Sequence, residues 1–235
     1  MPVYRLPKEL LFPPAEAAEP NGLIGYGGDL KPERLILGYQ RGIFPWYSEG
    51  QPILWFSPDP RYVLDMNDFR LQRSLKKVVK QEKFEIKINS AFDEVIDRCS
   101  KVTRPKQFGT WITSDMRSSY KELNRLGYAH SFEAWQDGKL VGGLYGVLFG
   151  GVFAGESMFA DVSNASKVTF VWAAKQLELW GVELIDCQVY TEHLERFGAK
   201  DIPRPEYLNR LNLLCKKEVS LCDQFDKGFH PLIKY

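Results

Sequence analysis

The sequence predicts an α+β fold, in which a small loop-rich N-terminal lobe precedes a mixed, largely antiparallel sheet with packed helices. Ten of the 14 prolines lie in residues 1–60, and proline interrupts both helices and strands, so little regular structure is expected there. From Arg61 onward, segments of helical period follow segments of period two, as they do when helices cover a sheet. We therefore expect a small N-terminal domain at residues 1–61 and a second domain at residues 62–235.

The individual elements follow from periodicity and from signals at their ends. The one helix expected in the N-terminal lobe begins after Asp29, has Pro32 in its first turn and ends at Gly42. In the second domain the apolar spacing predicts helices over residues 71–80, 92–99, 114–126, 164–180 and 205–217. Alternation or continuous apolar character predicts strands over residues 84–88, 130–136, 139–148, 151–154 and 184–189. An Asp137-Gly138 pair between two strands predicts a hairpin.

Composition indicates a globular protein of a reducing compartment. Of the 235 residues, 44% are apolar and 26% are charged, with a net charge of +1. The four cysteines form no C-x-x-C motif and the three histidines are far apart, so we expect neither disulfides nor a metal site. Residues 1–14 do not resemble a signal peptide, and six glycines interrupt the apolar residues 140–155. We expect a cytoplasmic protein that does not enter membranes.

The net charge hides an uneven distribution. Residues 61–130 carry a charge of +6, between flanks of −2 (residues 1–60) and −3 (residues 131–235). A basic middle suggests a docking surface for a polyanion, although surplus lysines are also common on ordinary solvated faces. The helix predicted over residues 71–80 places its basic residues opposite its apolar side. These basic residues are Arg73, Lys76, Lys77 and Lys80.

Two polar residues interrupt the apolar strand predicted over residues 184–189. Asp186 and Gln188 are two positions apart, so in a regular strand both side chains leave the same face, and Ile185 and Cys187 leave the other. Such a pair could hold and polarise an attacking amine, or steady an oxyanion. It could equally be a buried hydrogen-bonded pair that fixes the register of the sheet.

Glu156 is the second candidate for chemistry. It follows Gly155, where a glycine allows a ligand or another backbone to come close, and it lies between Phe153 and Met158. A charge among apolar side chains is costly without a partner. The alternative interpretation is a salt-bridged acid in a loop.

Tryptophans in turn-rich segments form the third signal. Trp46 and Trp111 could stack on unpaired nucleic-acid bases, whereas Phe44 and Trp55 are expected in the core. The sequence contains no G-x-x-x-x-G-K-[ST], G-x-G-x-x-G or G-x-S-x-G motif. Phosphate-loop, dinucleotide-binding and serine-hydrolase functions therefore lose their main support.

Several longer strings resemble one known family. Gly155-Glu156-Ser157-Met158-Phe159 and Leu184-Ile185-Asp186-Cys187-Gln188 are similar to segments of the leucyl/phenylalanyl-tRNA–protein transferases. Further matching segments are residues 21–24, 27–30, 39–46, 55–61, 109–113 and 164–167. Each string is short, but their number and order from residue 21 to residue 211 make the resemblance specific. The tail after Leu211 adds nothing usable to the resemblance.

The resemblance implies an enzyme of the bacterial cytosol. It would move Leu or Phe, and Met less well, from aminoacyl-tRNA to the α-amine of a protein that begins with Arg or Lys, which marks that protein for degradation in the N-degron pathway. The second domain would have a GNAT-type acyltransferase fold. The sequence lacks the [QR]-x-x-G-x-[GA] loop of CoA-dependent relatives, in agreement with a different acyl donor. We expect no cofactor, no metal and a monomer.

The resemblance also implies roles for individual residues. Asp186 and Gln188 would form a relay at the incoming amine, with Asp186 polarising Gln188. Glu156 would lie beside them and favour the cationic end of the acceptor protein. The terminal adenosine would stack on Trp46 and Trp111, with Tyr120 nearby. The aminoacyl pocket would consist of Leu144, Phe153, Met158, Phe170, Ala173, Leu177 and Ile185.

An aminoacyl ester is already activated, so this chemistry needs positioning and oxyanion stabilisation but no covalent nucleophile on the enzyme. Charge placement makes Arg73, Lys76, Lys77 and Lys80 the candidates for contact with the tRNA acceptor stem. Two rival functions differ in class. One is an acyl-CoA N-acyltransferase, and the other is a non-catalytic RNA-binding module in which Asp186 is structural.

Overall fold

The computed structural model describes residues 3–102, 110–222 and 230–232. Gly109, part of one segment quoted for the family resemblance, lies outside these residues. The described helices are α1 (Pro32–Gln40), α2 (Arg73–Val79), α3 (Phe92–Cys99), α4 (Ser114–Arg125), α5 (Ala165–Trp180), α6 (Glu192–Glu195) and α7 (Arg204–Leu214). The described strands are β1 (Tyr4–Leu6), β2 (Leu23–Gly27), β3 (Phe44–Pro45), β4 (Leu54–Phe56), β5 (Arg61–Asp65), β6 (Glu85–Ile88), β7 (Ala129–Gln136), β8 (Lys139–Phe149), β9 (Val152–Ala160), β10 (Leu184–Gln188) and β11 (Lys200–Ile202).

The N-terminal region contains more regular structure than its prolines predicted. Strands β1 to β4 form one sheet in the order β1-β2-β4-β3. Pro7, Pro20 and Pro52 lie outside these strands, and Pro45 lies in β3, at an edge of the sheet. Proline is tolerated at such an edge because no ladder hydrogen bond is required of it. Helix α1 has the expected place and its expected proline in the first turn.

The remaining strands form a seven-stranded sheet in the order β11-β5-β10-β9-β8-β7-β6. Neighbouring strands are antiparallel except β9 and β10, which are parallel. A parallel pair needs a crossover connection, and α5 supplies it. The mixed, largely antiparallel sheet is therefore confirmed. Strands β5 and β11 were not predicted.

Apolar side chains pack on both faces of this sheet. On one face a buried cluster joins the N-terminal region to α3, α4 and α7, as Trp55, Tyr39, Val95, Tyr120 and Leu211 illustrate. On the other face α2 and α5 pack in a second cluster. Within the described ranges, no helix has both the length and the apolar character needed to cross a bilayer.

The two parallel strands separate at their carboxyl ends. Their pairing runs from Leu184 and Val152 to Asp186 and Ala154 and then stops. Both strands also carry a register shift just beyond this point: β9 against β8 at Glu156, and β10 against β5 between Asp186 and Gln188. The gap between these strand ends positions the candidate site.

Candidate active site

A cavity of about 380 Å³ opens where β9 and β10 separate. Its volume lies within the range of small-molecule sites. Glu156 and Gln188 form part of its polar wall, and Trp46 and Trp111 line it from the N-terminal region and the segment before α4. Most of the remaining lining is apolar. The sequence-predicted residues therefore meet largely, but not completely, in one place.

Glu156 is buried and accepts three hydrogen bonds from neutral groups. The Tyr39 hydroxyl donates to Oε1 at 2.8 Å, and the Gln188 side-chain amide donates to the same oxygen at 2.8 Å. The Tyr120 hydroxyl lies 3.2 Å from Oε2. Glu156 is therefore not the salt-bridged loop acid of the alternative interpretation, because it lies in β9 and none of its hydrogen-bond partners among the described residues is a cation.

Two phenols and the Glu156 carboxyl group form one buried hydrogen-bonded network. The hydroxyls of Tyr39 and Tyr120 also contact each other, so three oxygen–oxygen contacts join two phenols and one carboxyl group. Burial, the largest cause, raises the pKa of Glu156 from 4.5 to about 7, against the lowering effect of its three hydrogen bonds.

Asp186 lies on the other side of the strand and does not line the cavity. Its carboxylate accepts two bonds from Arg61, from Nε at 2.8 Å and from Nη2 at 2.6 Å. The Tyr207 hydroxyl donates to Oδ2 at 2.8 Å. Burial, the largest single cause, would lower the pKa of Arg61, but the charges and hydrogen bonds of Asp186 and Tyr207 together outweigh it and raise that pKa. This is a fully buried bidentate ion pair.

The expectation that Asp186 and Gln188 share one strand face is wrong. A register shift separates them, and Gln188 has a left-handed backbone with φ of 65°, a conformation that non-glycine residues rarely adopt. Asp186 Oδ1 accepts the backbone N–H of Gln188 at 3.0 Å, which holds this bulge. The Gln188 side chain thus turns into the cavity while Asp186 contacts its backbone, so Asp186 does not polarise the side-chain amide in this structure.

The apolar floor of the cavity contains five of the seven residues expected in the aminoacyl pocket. These are Leu144, Phe153, Met158, Phe170 and Ile185. The other two, Ala173 and Leu177, do not line it. Both are buried on α5 in the core cluster behind the cavity, because a buried helix directs only part of its surface toward any one neighbour.

The three aromatic residues expected at the adenosine lie in different surroundings. Trp46 is 39% exposed and packs edge-to-face on Phe56, with ring centroids 5.8 Å apart. Trp111 lines the same cavity. Tyr120 is fully buried in α4 and reaches Glu156 through its hydroxyl, so it presents no ring surface to the cavity.

The four basic residues on α2 and at its C-terminal end are exposed, as their spacing predicted. Leu75 and Val79 face the core, and Arg73, Lys76, Lys77 and Lys80 face solvent. Helix α2 packs against α5 on the same side of the sheet as the apolar floor. The basic face of α2 and helix α5 therefore lie on the same side of the sheet. Helix α5 contributes Phe170 to the cavity from that side.

Several residues of the site escaped the sequence analysis. Tyr39 and Tyr207 look like ordinary core aromatics in sequence, and only the fold brings their hydroxyls to carboxylates. Arg61 did carry a signal: it directly precedes the apolar run Tyr62-Val63-Leu64, and a charge at the start of a buried strand requires an opposite charge nearby. In the described part of the chain, no group of three His, Cys, Asp or Glu side chains is arranged to hold a metal ion.

Comparison with known proteins gives a consistent result. A family model described as leucyl/phenylalanyl-tRNA protein transferase matches residues 63–212, and a model of the N-terminal domain of the same enzymes matches residues 28–59. The chain is similar to the leucyl/phenylalanyl-tRNA–protein transferase of Anaeromyxobacter sp. (strain Fw109-5), with 54% identity over 211 residues, which are 90% of each chain. It is also 54% identical to that of Myxococcus xanthus over 213 residues, 90% of this chain and 91% of the relative.

Similarity to solved structures is weaker. The L-PGS structure from Bacillus licheniformis aligns with a TM-score of 0.41 and 11% identity, over 73% of this chain and 56% of that one. The sequence relatives define the class of protein, which is a transferase. The chain belongs to the leucyl/phenylalanyl-tRNA–protein transferase family.

Proposed function

We propose that this enzyme transfers Leu or Phe, and Met less well, from aminoacyl-tRNA to the N-terminal α-amine of proteins that begin with Arg or Lys. The product would be marked for degradation through the N-degron pathway. The observation that carries the proposal is one cavity with an apolar floor, two tryptophans and a polar wall of Glu156 and Gln188. These surfaces fit an apolar side chain, a terminal adenosine and a reacting amine, respectively.

The proposed mechanism is direct attack on an activated ester. The amine nitrogen bonds to the ester carbonyl carbon, and the bond from that carbon to the ribose oxygen breaks. The proton that leaves the amine is accepted by the carboxylate of Glu156 and ends on the departing ribose oxygen. Positioning of the two reactants supplies much of the rate, and proton transfer by a placed carboxylate adds to it.

Gln188 and Asp186 have separate roles in this proposal. The Gln188 amide binds Glu156 and fixes the direction of its carboxyl group toward the amine. Asp186 is a positioning residue, since it holds the backbone of Gln188 in its strained conformation. Strain of this kind is typical of functional sites when surrounding contacts enforce it.

The rest of the molecule is assigned as follows. We propose that residues 62–235 form a GNAT-type acyltransferase domain behind a small N-terminal domain of residues 1–61, and that the enzyme acts in the cytoplasm as a monomer without cofactor or metal. Leu144, Phe153, Met158, Phe170 and Ile185 would hold the aminoacyl side chain, and Trp46 and Trp111 the adenosine. Arg73, Lys76, Lys77 and Lys80 would contact acceptor-stem phosphates.

The test is transfer of labelled Leu from tRNA to a peptide that begins with Arg. We expect the label on that peptide and none on the same peptide with an acetylated N-terminus, because acetylation removes the nucleophilic amine. Label on the acetylated peptide would contradict the proposal. The alternative function, an acyl-CoA N-acyltransferase, requires that the protein bind an acyl-CoA. In a titration with an acyl-CoA we expect no binding.

A further inference from the structure

A second cavity, of about 270 Å³, adjoins the first. It lies between α2, the start of α5 and α6, and His193 lines both cavities. Leu75, Val78 and Phe197 give it an apolar side. Gln72, Ser74, Asn164, Lys167 and Arg196 give it a polar one. None of the roles assigned above uses this cavity.

The polar side is cationic. Lys167 and Arg196 line the cavity, and no Asp or Glu of the described chain lines it. Lys167 forms no ion pair among the described residues, and its Nζ reaches only the side-chain oxygen of Asn164, at 3.5 Å. Arg196 pairs with Glu192, whose side chain is 72% exposed, so solvent screens that pair. An anion would therefore find uncompensated positive charge here.

His193 forms the partition between the two cavities. Its ring packs against Phe170 and Phe197, with ring centroids 6.2 and 5.4 Å away. Its Nε2 is buried and has no hydrogen-bond partner in the described part of the chain. Burial, together with the charges of Lys167 and Arg196, lowers the pKa of His193. A buried polar atom without a partner is costly, and an incoming ligand would supply the missing bond.

We infer that the second cavity binds the phosphate-bearing nucleotide that precedes the terminal adenosine of the acyl donor. This inference rests on the proposed function, because it needs a polynucleotide donor. The phosphodiester lies against Lys167 and Arg196, and the preceding base lies on Leu75, Val78 and Phe197. Flat apolar surfaces beside cations are the usual design for single-stranded nucleic acid.

The position of the cavity supports this assignment. Helix α2 lines it from one side with Gln72 and Ser74, and the exposed face of the same helix carries the bases assigned to the acceptor stem. A strand that ends in the first cavity and leaves along α2 passes the partition at His193. The second cavity thus lies between the first cavity, which it meets at His193, and the basic face of α2.

Three donors test the inference: leucyl-adenosine, which has no phosphate, the leucyl ester of the trinucleotide CpCpA, and full leucyl-tRNA. The variants are Lys167→Met and Arg196→Gln, with Lys139→Met as the matched control. Lys139 is exposed in the hairpin between β7 and β8. The measured quantities are KM and kcat for transfer to the peptide with N-terminal Arg.

We expect each cavity variant to raise KM about tenfold for the trinucleotide and for tRNA, since a charge-assisted hydrogen bond to phosphate is of that size. KM for leucyl-adenosine and every kcat should stay at the wild-type value, and the control should change nothing. The variant Lys167→Arg, which keeps the charge, should restore most of the affinity.

Equal KM increases for leucyl-adenosine and the trinucleotide would overturn the inference, and so would unchanged KM for both. Because Arg196 is exposed, we expect Arg196→Gln to fold, so this variant tests the inference even if Lys167→Met does not fold. Absence of transfer by the wild-type enzyme from every donor would overturn the proposed function and this inference with it. The two failures can be distinguished. Loss of all transfer by the wild type contradicts the proposed function, whereas an equal KM increase for every donor in the variants contradicts only the inference about the second cavity.

Discussion

Two buried carboxylates lie on neighbouring strands of the same sheet, and their surroundings differ in one respect. Asp186 on β10 contacts a full positive charge, the Arg61 guanidinium, in two places. Within the described residues, the side chain of Glu156 on β9 accepts hydrogen bonds from neutral donors, the side chains of Tyr39, Tyr120 and Gln188. One acid is thus held in an ion pair, whereas burial among neutral donors raises the pKa of the other.

This difference between the two acids indicates a structural role for Asp186 and a chemical role for Glu156. Asp186 is enclosed with Arg61 and Tyr207 on the side of the sheet that packs on the N-terminal region. Glu156 lines the cavity, and its pKa of about 7 is close to that of an α-amine. A proton acceptor works best when its pKa is near the working pH. Substitutions of Asp186 should therefore change stability first and transfer only through the position of Gln188, whereas substitutions of Glu156 should change transfer directly.

The largest expected effect is on stability. Asp186→Asn leaves the Arg61 guanidinium buried at 1% exposure without a counter-charge, and loss of one partner of a buried pair costs about 3–5 kcal/mol. We expect this decrease in the free energy of unfolding in urea at pH 7. Glu156→Gln, the matched amide change on the other strand, should cost about 1 kcal/mol at pH 4.5, where the folded wild type still carries the Glu156 proton; this is the value of one neutral hydrogen bond. Equal losses would contradict the comparison.

The pH dependence of stability should also distinguish the two acids. The pKa of Glu156 is raised on folding, so above its ordinary value of 4.5 the unfolded chain loses this proton before the folded chain does. Stability from this group is complete below pH 4.5 and falls by about 3 kcal/mol as the pH rises through about 7. Glu156→Gln should remove that decrease in urea unfolding between pH 4.5 and 8. A variant with the wild-type slope would show that Glu156 does not titrate there.

The same variant should be defective in transfer. Glu156→Gln cannot accept a proton, and we expect kcat to fall about 10²-fold with little change in KM for leucyl-tRNA. In the wild type the rate should rise with pH through about 7 as Glu156 loses its proton. The rise that belongs to the acceptor amine should remain in the variant, so the difference between the two pH profiles isolates Glu156. A variant with full kcat would exclude the proposed proton acceptor.

The sequence predicted the surroundings of this site better than its internal geometry. Periodicity located most of the helices and strands, including the long hairpin of β7 and β8, because long amphipathic or alternating segments leave a clear pattern. It missed β5 and β11, which are short and pair with strands that are distant in the sequence. The paired strands of the N-terminal region are also short, and contacts with the rest of the chain decide such strands more than local propensity does.

The errors within the site have a common physical origin. Regular alternation placed Asp186 and Gln188 on one face, but a bulge and a left-handed residue turned Gln188 away, and no single-residue signal announces a bulge. Tyr120 was expected beside a nucleoside, yet its hydroxyl serves Glu156, a contact between α4 and β9 that only the fold creates. Ala173 and Leu177 lie one layer behind the cavity for a similar reason.

A smaller effect should mark the apolar floor on the Glu156 side. Met158 follows Glu156 by two residues and lines the cavity. Met158→Ala removes apolar contact with the aminoacyl side chain, which is worth about 1–2 kcal/mol. We expect kcat/KM for leucyl-tRNA to fall about tenfold and the preference to move toward the larger phenylalanyl donor. Leu179→Ala, at an exposed position of α5, is the control, and an unchanged preference in Met158→Ala would remove this residue from the pocket.

The smallest effect is expected at the exposed basic residues of α2. Neither Asp186 nor Glu156 depends on them in the proposed mechanism. Lys77→Gln should leave stability and kcat unchanged, because Lys77 lies in solvent on the outer face of the helix. If Lys77 contacts a phosphate of the donor, its loss removes one released counterion, and the slope of log KM against log salt decreases by about one unit. KM measured between 50 and 200 mM salt gives this slope. Lys139→Gln on the β7–β8 hairpin should keep the wild-type slope, and a wild-type slope after substitution of Arg73, Lys76, Lys77 and Lys80 together would place the acceptor stem elsewhere.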